Sequence, residues 1–374
     1  MESEPEVIVV GAGLAGLGVA WRLAQHGVRV EVLERAAVGR GASWAAAGML
    51  APAAEIGFEE LDLYALGRES LGRWPAFARE LAAAGGASVG YRDSGTLVVA
   101  DDRDSLQALR RLYAFQREHG APVEWLSGDA AIDREPLLSP RLPAAIWAPE
   151  DHQVDPRAVV QALEAAAQGA GVTIRTGVTV TRVAPSAGRP AVWLDTGDRW
   201  PARAVVLAAG AWSRDIGGLA PSLPVRRVKG QALALRMPPE LEITHVVRGP
   251  DAYLVPRWDG RLVLGATSED GVADLGVTAG GLYRLLEGAV ALVPAVEELE
   301  VIETWAAHRP AARDHAPLLG RVAEGVFAAT GHYRHGVLLA PVTADEVAEE
   351  VLRWLTGAPE TASILAPFSP LRFA

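Results

Sequence analysis

Apolar positions fall into short blocks near the N-terminus and into periodic stretches further on. Val7–Val10 is an unbroken run of branched side chains, bounded and too short for a helix, which predicts a buried parallel strand. Gly11-Ala12-Gly13-Leu14-Ala15-Gly16 follows at once. Residues 17–26 read as a helix, with Gly27 as its stop. Residues 28–33 alternate Val with charged residues and predict a second strand, completing a βαβ unit. Residues 39–54 are rich in Gly and Ala and lack a clear period. Composition alone favours a plain Ala-rich helix there, while the place beside a nucleotide fold suggests a segment lying against a ligand.

Further along, residues 61–84, 103–119 and 156–171 read as helices, residues 95–100 as a strand, and residues 172–183 as a strand pair. Residues 205–209 form a second buried apolar strand, ending in Gly210-Ala211-Trp212-Ser213. Tyr253–Pro256 and Arg261–Gly265 flank a short turn containing Asp259-Gly260 and predict an antiparallel hairpin. Residues 326–329 form a third buried strand, which leads through Thr330 to Gly336 into a helix expected over about 337–355. There is no internal repeat. The simplest arrangement is a discontinuous nucleotide-binding domain over residues 1–85, 150–220 and 310–365. A second, antiparallel domain over 86–149 and 221–309 is inserted into it, with the site between the two.

Strand, glycines, helix, second strand and a terminal acid occur in the order that a dinucleotide site requires. Gly11 permits the tight turn, Gly13 lets the backbone approach a pyrophosphate, and Gly16 lets helix and strand pack closely. The unpaired amides at the helix N-terminus receive the anion, and Glu34 can hold the ribose hydroxyls. These glycines alone do not separate NAD from FAD. The motif's place at the very N-terminus, and the lack of a contiguous second mononucleotide half, favour FAD.

Composition narrows the picture. The chain of 374 residues is 50% hydrophobic, with a formal net charge of −11 and no basic run, which disfavours nucleic acid. It has no cysteine, which excludes disulfides, thiolate ligands, a Cys nucleophile and a cysteinyl cofactor link. The opening Met1-Glu2-Ser3-Glu4 is acidic where a signal peptide would be basic, and no apolar stretch reaches membrane-spanning length. The expectation is a soluble cytoplasmic protein that uses no membrane. His308, His315, His332 and His335 lack HxxxH or HExxH spacing, so no metal site is expected.

Five segments carry a resemblance that covers nearly the whole chain, from residue 7 to 344: VIVVGAGLAGLGVAWRLA, GASWAAAGMLAP, YLVPRWDGRLVLGAT, HRPAARDHAPLLG and TGHYRHGVLLAPVTA. The sequence resembles the glycine oxidases of thiamine biosynthesis, within the D-amino-acid oxidase and sarcosine oxidase group. SWAAAGMLAP and GHYRHGVLLAP are the more specific segments; the nucleotide motif is shared widely. The fold implied is α/β: a Rossmann-type FAD-binding domain with an inserted antiparallel-sheet α+β substrate domain.

By the same resemblance, Leu14, Ala15, Glu34 and Arg35 hold the adenosine and pyrophosphate side of FAD, with Gly11, Gly13 and Gly16 at the turn. Ala42, Ser43, Ala47, Gly48 and Met49 line the flavin, mainly through the backbone. Val180 meets the adenine. His332, Tyr333, Arg334, His335, Gly336, Val337 and Leu338 run beneath the flavin's pyrimidine edge. Tyr253, Arg309 and Arg334 form the substrate pocket. Two positions depart from the family: His335 stands where Asn is common, and Asp251 where His can occur.

The chemistry implied is oxidation of glycine, or of sarcosine or small D-amino acids, by loss of the α-hydrogen as hydride to the flavin. Oxygen then yields hydrogen peroxide, and the imine gives glyoxylate and ammonia or passes to thiazole synthesis. A dehydrogenase of the same fold, with another acceptor, is the alternative. The resemblance also implies a homotetramer. Arg suits a substrate carboxylate because two parallel donors fix orientation as well as charge. The helix expected to begin near Gly336 would place its dipole and free amides on charge developing at the flavin.

Overall fold

The computed structural model describes residues 4–359 and 361–373; Met1, Glu2 and Ser3 of the acidic N-terminus lie outside them. Val7–Val10 is the inner strand of a six-stranded sheet, paired in parallel with Val30–Glu34 on one side and Ala204–Leu207 on the other. Thr173–Thr176 extends the sheet beyond Val30–Glu34, and Val326–Thr330 extends it beyond Ala204–Leu207. Leu318–Ala323 closes that edge in antiparallel sense. Three pieces of chain far apart in sequence thus build one sheet. Its inner strands are apolar on both faces because both faces are covered.

On one face the helices Leu14–Gln25, Leu61–Gly85, Pro156–Gly169 and Ala340–Thr356 form a single core with Trp21, Trp74 and Phe77. On the other lies a three-stranded antiparallel sheet of Val180–Ala184, Ala191–Leu194 and Arg199–Pro201. The strand pair expected over 172–183 is therefore two strands of different sheets. Thr173–Thr176 joins the parallel sheet and Val180–Ala184 pairs with Ala191–Leu194. A short apolar run does not disclose which partner it will meet.

The second large sheet has nine strands. Arg226–Arg236 pairs antiparallel with both Val301–Ala311 and Arg261–Gly265, and Tyr253–Pro256 completes the predicted hairpin. The sheet continues through Val246–Arg248, which runs parallel to Thr96–Ala100, the one parallel junction in an otherwise antiparallel sheet. The helix Ala279–Leu292 covers its outer face with Leu285, Ala289 and Leu292. Among the described residues, no helix is long and apolar enough to cross a membrane.

Residues 39–54 are neither one helix nor one strand. A short helix, Ala42–Ala45, gives way to extended chain and to Met49–Leu50, which pairs with His152–Gln153. The last helix begins at Ala340, not near Gly336, because residues 336–339 form a turn and Pro341 occupies the first helical turn. The helix dipole expected at Gly336 is one turn further along the chain.

Candidate active site

A cavity of about 490 Å³ runs between the two sheets, walled by the first βαβ turn, residues 39–49, the strand Val301–Ala311 and residues 329–337. At one end lies the glycine turn. Gly11 has φ +108°, and a Cβ there would stand 2.5 Å from the Ala208 carbonyl oxygen. A Cβ on Gly16 would stand 2.0 Å from the Gly11 oxygen, so helix and turn meet at backbone distance. Gly13, which starts the helix with no side-chain cap, faces only the Ser43 hydroxyl. Its freedom serves the cavity and not protein packing.

The donors and acceptors at this end suit a dinucleotide. The first turn of the helix carries no acid, and the Leu14 amide donates to Ser43 Oγ at 3.0 Å. Glu34 accepts from the amides of Ala12 at 2.8 Å and Ala36 at 3.0 Å, so its carboxylate is held at the strand end. A carboxylate has further lone pairs for ribose hydroxyls. The Arg35 guanidinium lies 3.6 Å from the centre of the Trp212 ring, closing this end of the cavity beside Thr179, Val180 and Thr181.

The middle of the cavity is lined by Ala45 to Met49. This segment is held by its carbonyls. Trp305 Nε1 donates to Ala45 O at 3.0 Å, and Arg257 donates to Ala47 O and, at 2.6 Å, to Val154 O. Arg257 is buried, and that burial pulls its guanidinium down to about 10 against the pull of Asp155. On the opposite wall His332 Nε2 lies 3.0 Å from Thr343 Oγ1. Burial, with His335 nearby, pushes its imidazole down to about 4, so it is neutral at pH 7.

The far end carries the candidate substrate groups. Arg309 lies on the strand Val301–Ala311, and its Nη1 donates to Thr267 O at 3.0 Å. Tyr253, on the hairpin, shares this end of the cavity wall with Arg309. Burial raises the phenol's pKa, while Arg309 opposes the rise. Arg334 is exposed at the mouth, in a turn tied to the strand Val301–Ala311 by Tyr333 N donating to Pro310 O at 2.7 Å. Among the described residues no group of His, Cys, Asp and Glu is arranged to hold a metal ion.

Most residues expected in the site line this cavity: Gly11, Gly13, Leu14, Ala15, Glu34, Arg35, Ala42, Ser43, Ala47, Gly48, Met49, Val180, Tyr253, Arg309, His332, Tyr333, Arg334, Gly336 and Val337. Gly16, His335 and Leu338 do not. Gly16 packs against Gly11. Leu338 points into the helical core, where its carbonyl accepts from Ser70 Oγ at 2.7 Å and Trp74 Nε1 at 2.9 Å. His335 is buried behind the wall, its Nδ1 3.7 Å from Glu55 Oε2. Asp251 also lies outside the wall, against Gly288 of the covering helix.

Sequence reading missed Trp212, Glu55, Gly230 and Arg257. The Trp212 position after a buried strand was a usable signal. The others are brought in by long-range strand pairing and leave no local mark.

The comparisons agree on one relationship. The sequence model described as FAD dependent oxidoreductase matches residues 6–350. The chain is 38% identical to the glycine oxidase of Geobacillus kaustophilus over 98% of its own length and 97% of that protein's. It is 36% identical to the bifunctional protein ThiO/ThiG of a Synechocystis strain, covering all of this chain but only 55% of that protein. The crystal structure of the Geobacillus kaustophilus glycine oxidase superposes with a TM-score of 0.90, covering 99% of each chain at 35% identity.

Proposed function

Because the chain belongs to the FAD dependent oxidoreductase family, we propose that it is an FAD-dependent amino acid oxidase acting on glycine, with sarcosine and small D-amino acids as further substrates. The overall change is glycine, water and oxygen to glyoxylate, ammonia and hydrogen peroxide. Likeness to a glycine oxidase along the full length of both chains supports the substrate. Likeness to one half of a ThiO/ThiG fusion supports a place in supplying thiamine thiazole synthesis.

The observation that carries the reading is the pairing of Arg309 with Tyr253 at one end of a cavity whose other end fits a dinucleotide. Bound FAD supplies the two-electron acceptor for the α-hydrogen. The chain's own task is binding and orientation. The Arg309 fork and the Tyr253 hydroxyl take the substrate carboxylate and fix which face of the α-carbon turns to the cofactor. Residues 45–49, held by Trp305 and Arg257, form one wall that would hold the flavin ring. Neutral His332 and the turn at residues 333–337 form the wall facing it. The backbone amides of that turn, and not the helix dipole, would supply donors to charge that develops on the bound cofactor.

Each sheet gathers strands from separate stretches of the chain, which supports two domains: cofactor binding over 1–85, 150–220 and 310–365, substrate binding over 86–149 and 221–309. A homotetramer rests on the family resemblance alone, and sedimentation velocity measures it.

Anaerobic addition of glycine to the purified, FAD-loaded protein tests the reading. Bleaching of the visible flavin bands supports it. A spectrum that stays oxidised with glycine, sarcosine and D-alanine overturns it. Oxygen consumption measured with and without a dye acceptor then identifies the electron acceptor.

A further inference from the structure

The segment that lines the middle of the cavity continues into residues 50–55 and brings a carboxylate into the substrate end. Glu55 shares that wall with Tyr253, Arg309 and Arg334. The other acids of the wall, Glu34 and Asp215, belong to the adenosine end. Removal of an α-hydrogen as hydride calls for no carboxylate, so the buried charge needs another reason.

Its surroundings keep it ionised and aimed. Arg248 donates to Oε1. Oε2 has no hydrogen-bond partner among the described residues, since His335 Nδ1 at 3.7 Å is beyond hydrogen-bond reach. Burial raises the pKa of the carboxyl, but Arg248, His335 and Arg334 together outweigh burial and hold it below the ordinary value. A second buried carboxylate fixes the turn that carries it: Asp151 accepts from the amides of Ala53 at 3.1 Å and Ala54 at 2.6 Å.

A glycine zwitterion presents two charges. Arg309 and Tyr253 answer the carboxylate. At the substrate end of the wall the remaining charged groups are cationic, apart from Glu55. We infer that the free Oε2 of Glu55 binds the substrate's amino group. Glu55 and Arg309 then read the two ends of one small zwitterion and select 2-amino over 2-hydroxy carboxylates. This rests on the amine-oxidising reading above. It makes Glu55 a specificity residue, with Arg248 and Asp151 as its positioning residues. An anion beside the ammonium also holds the proton on the amine, so release of that proton sets an alkaline rise in the rate of reduction.

The test uses the flavin-loaded protein, with glycine followed by anaerobic bleaching and glycolate followed by perturbation of the visible bands. Glycolate carries the carboxylate without the ammonium. Glu55→Gln is expected to raise the half-saturating glycine concentration about tenfold or more, the effect of losing a charge-assisted hydrogen bond. Glycolate affinity stays within about threefold, at most about half of the glycine effect in energy terms. The alkaline limb of the reduction rate moves to lower pH, and Glu55→Asp recovers part of the glycine affinity. Equal weakening of glycine and glycolate overturns the inference and makes Glu55 structural. No change in either also overturns it. If Glu55→Gln fails to retain flavin, Glu55→Asp decides by the same comparison. A wild-type protein that no amine reduces overturns the inference together with the reading beneath it. A wild type that glycine reduces, with an unaltered Glu55→Gln, overturns the inference alone.

Discussion

The guanidinium of Arg309 lies directly over the Cα of Gly230 on the neighbouring strand: a Cβ at residue 230 would stand 2.3 Å from Nη1 and 2.6 Å from Cζ. Gly265 stands in the same relation to Tyr253, with a would-be Cβ 2.3 Å from the phenol oxygen. The two side chains proposed to hold the carboxylate therefore rest on two glycine floors. Gly230→Ala is expected to displace Arg309 and raise KM for glycine about tenfold or more, since small misplacements of a binding group are costly. Steady-state kinetics with an unchanged flavin-to-protein ratio checks it. An unaltered KM would show that Arg309 is not the clamp.

Arg309→Ala removes the fork itself. The expected result is a rise in KM for glycine of about a hundredfold, the scale of losing charge-assisted bonds to a buried carboxylate, with the visible spectrum intact. Loss of FAD instead would make Arg309 a structural residue.

Glu34→Ala acts at the opposite end of the cavity. It removes the acceptor for the Ala12 and Ala36 amides as well as the proposed ribose contact. FAD affinity is expected to fall about tenfold or more, measured as flavin retained through dialysis. Full retention sinks the assignment.

His332 links the site to pH. Its folded-state value of about 4 lies below the ordinary histidine value of 6.5. The unfolded chain therefore takes up a proton that the folded one refuses. The stability contribution is fully present above 6.5 and is lost as pH falls towards 4, reaching about 2 kcal/mol at pH 5. The shift at His335 has the same direction. Urea unfolding of wild type and His332→Gln at pH 7 and pH 5 measures it. The variant should lose less stability on acidification. Equal losses would place the acid sensitivity elsewhere.

The sequence by itself was enough for the βαβ opening, the hairpin and most helices. These rest on signals a few residues wide: branched apolar runs, a glycine turn, Asp-Gly between two strands. It was also enough to bring Gly11, Gly13 and Glu34 to one end of the cavity, because the βαβ motif sets them at the ends of two adjacent strands. Resemblance, not periodicity, picked out Tyr253 and Arg309.

Tertiary structure decided what depends on neighbours distant in the chain. It separated Thr173–Thr176 from Val180–Ala184 into different sheets, and it moved the start of the last helix to Ala340. It turned Leu338 and His335 away from the cavity and brought Glu55 into it. It also laid Arg309 over Gly230 through the register of two long strands. Local signals bind neighbours along the chain, whereas a substrate pocket is assembled where separate elements meet, and only their packing sets which side chains face it.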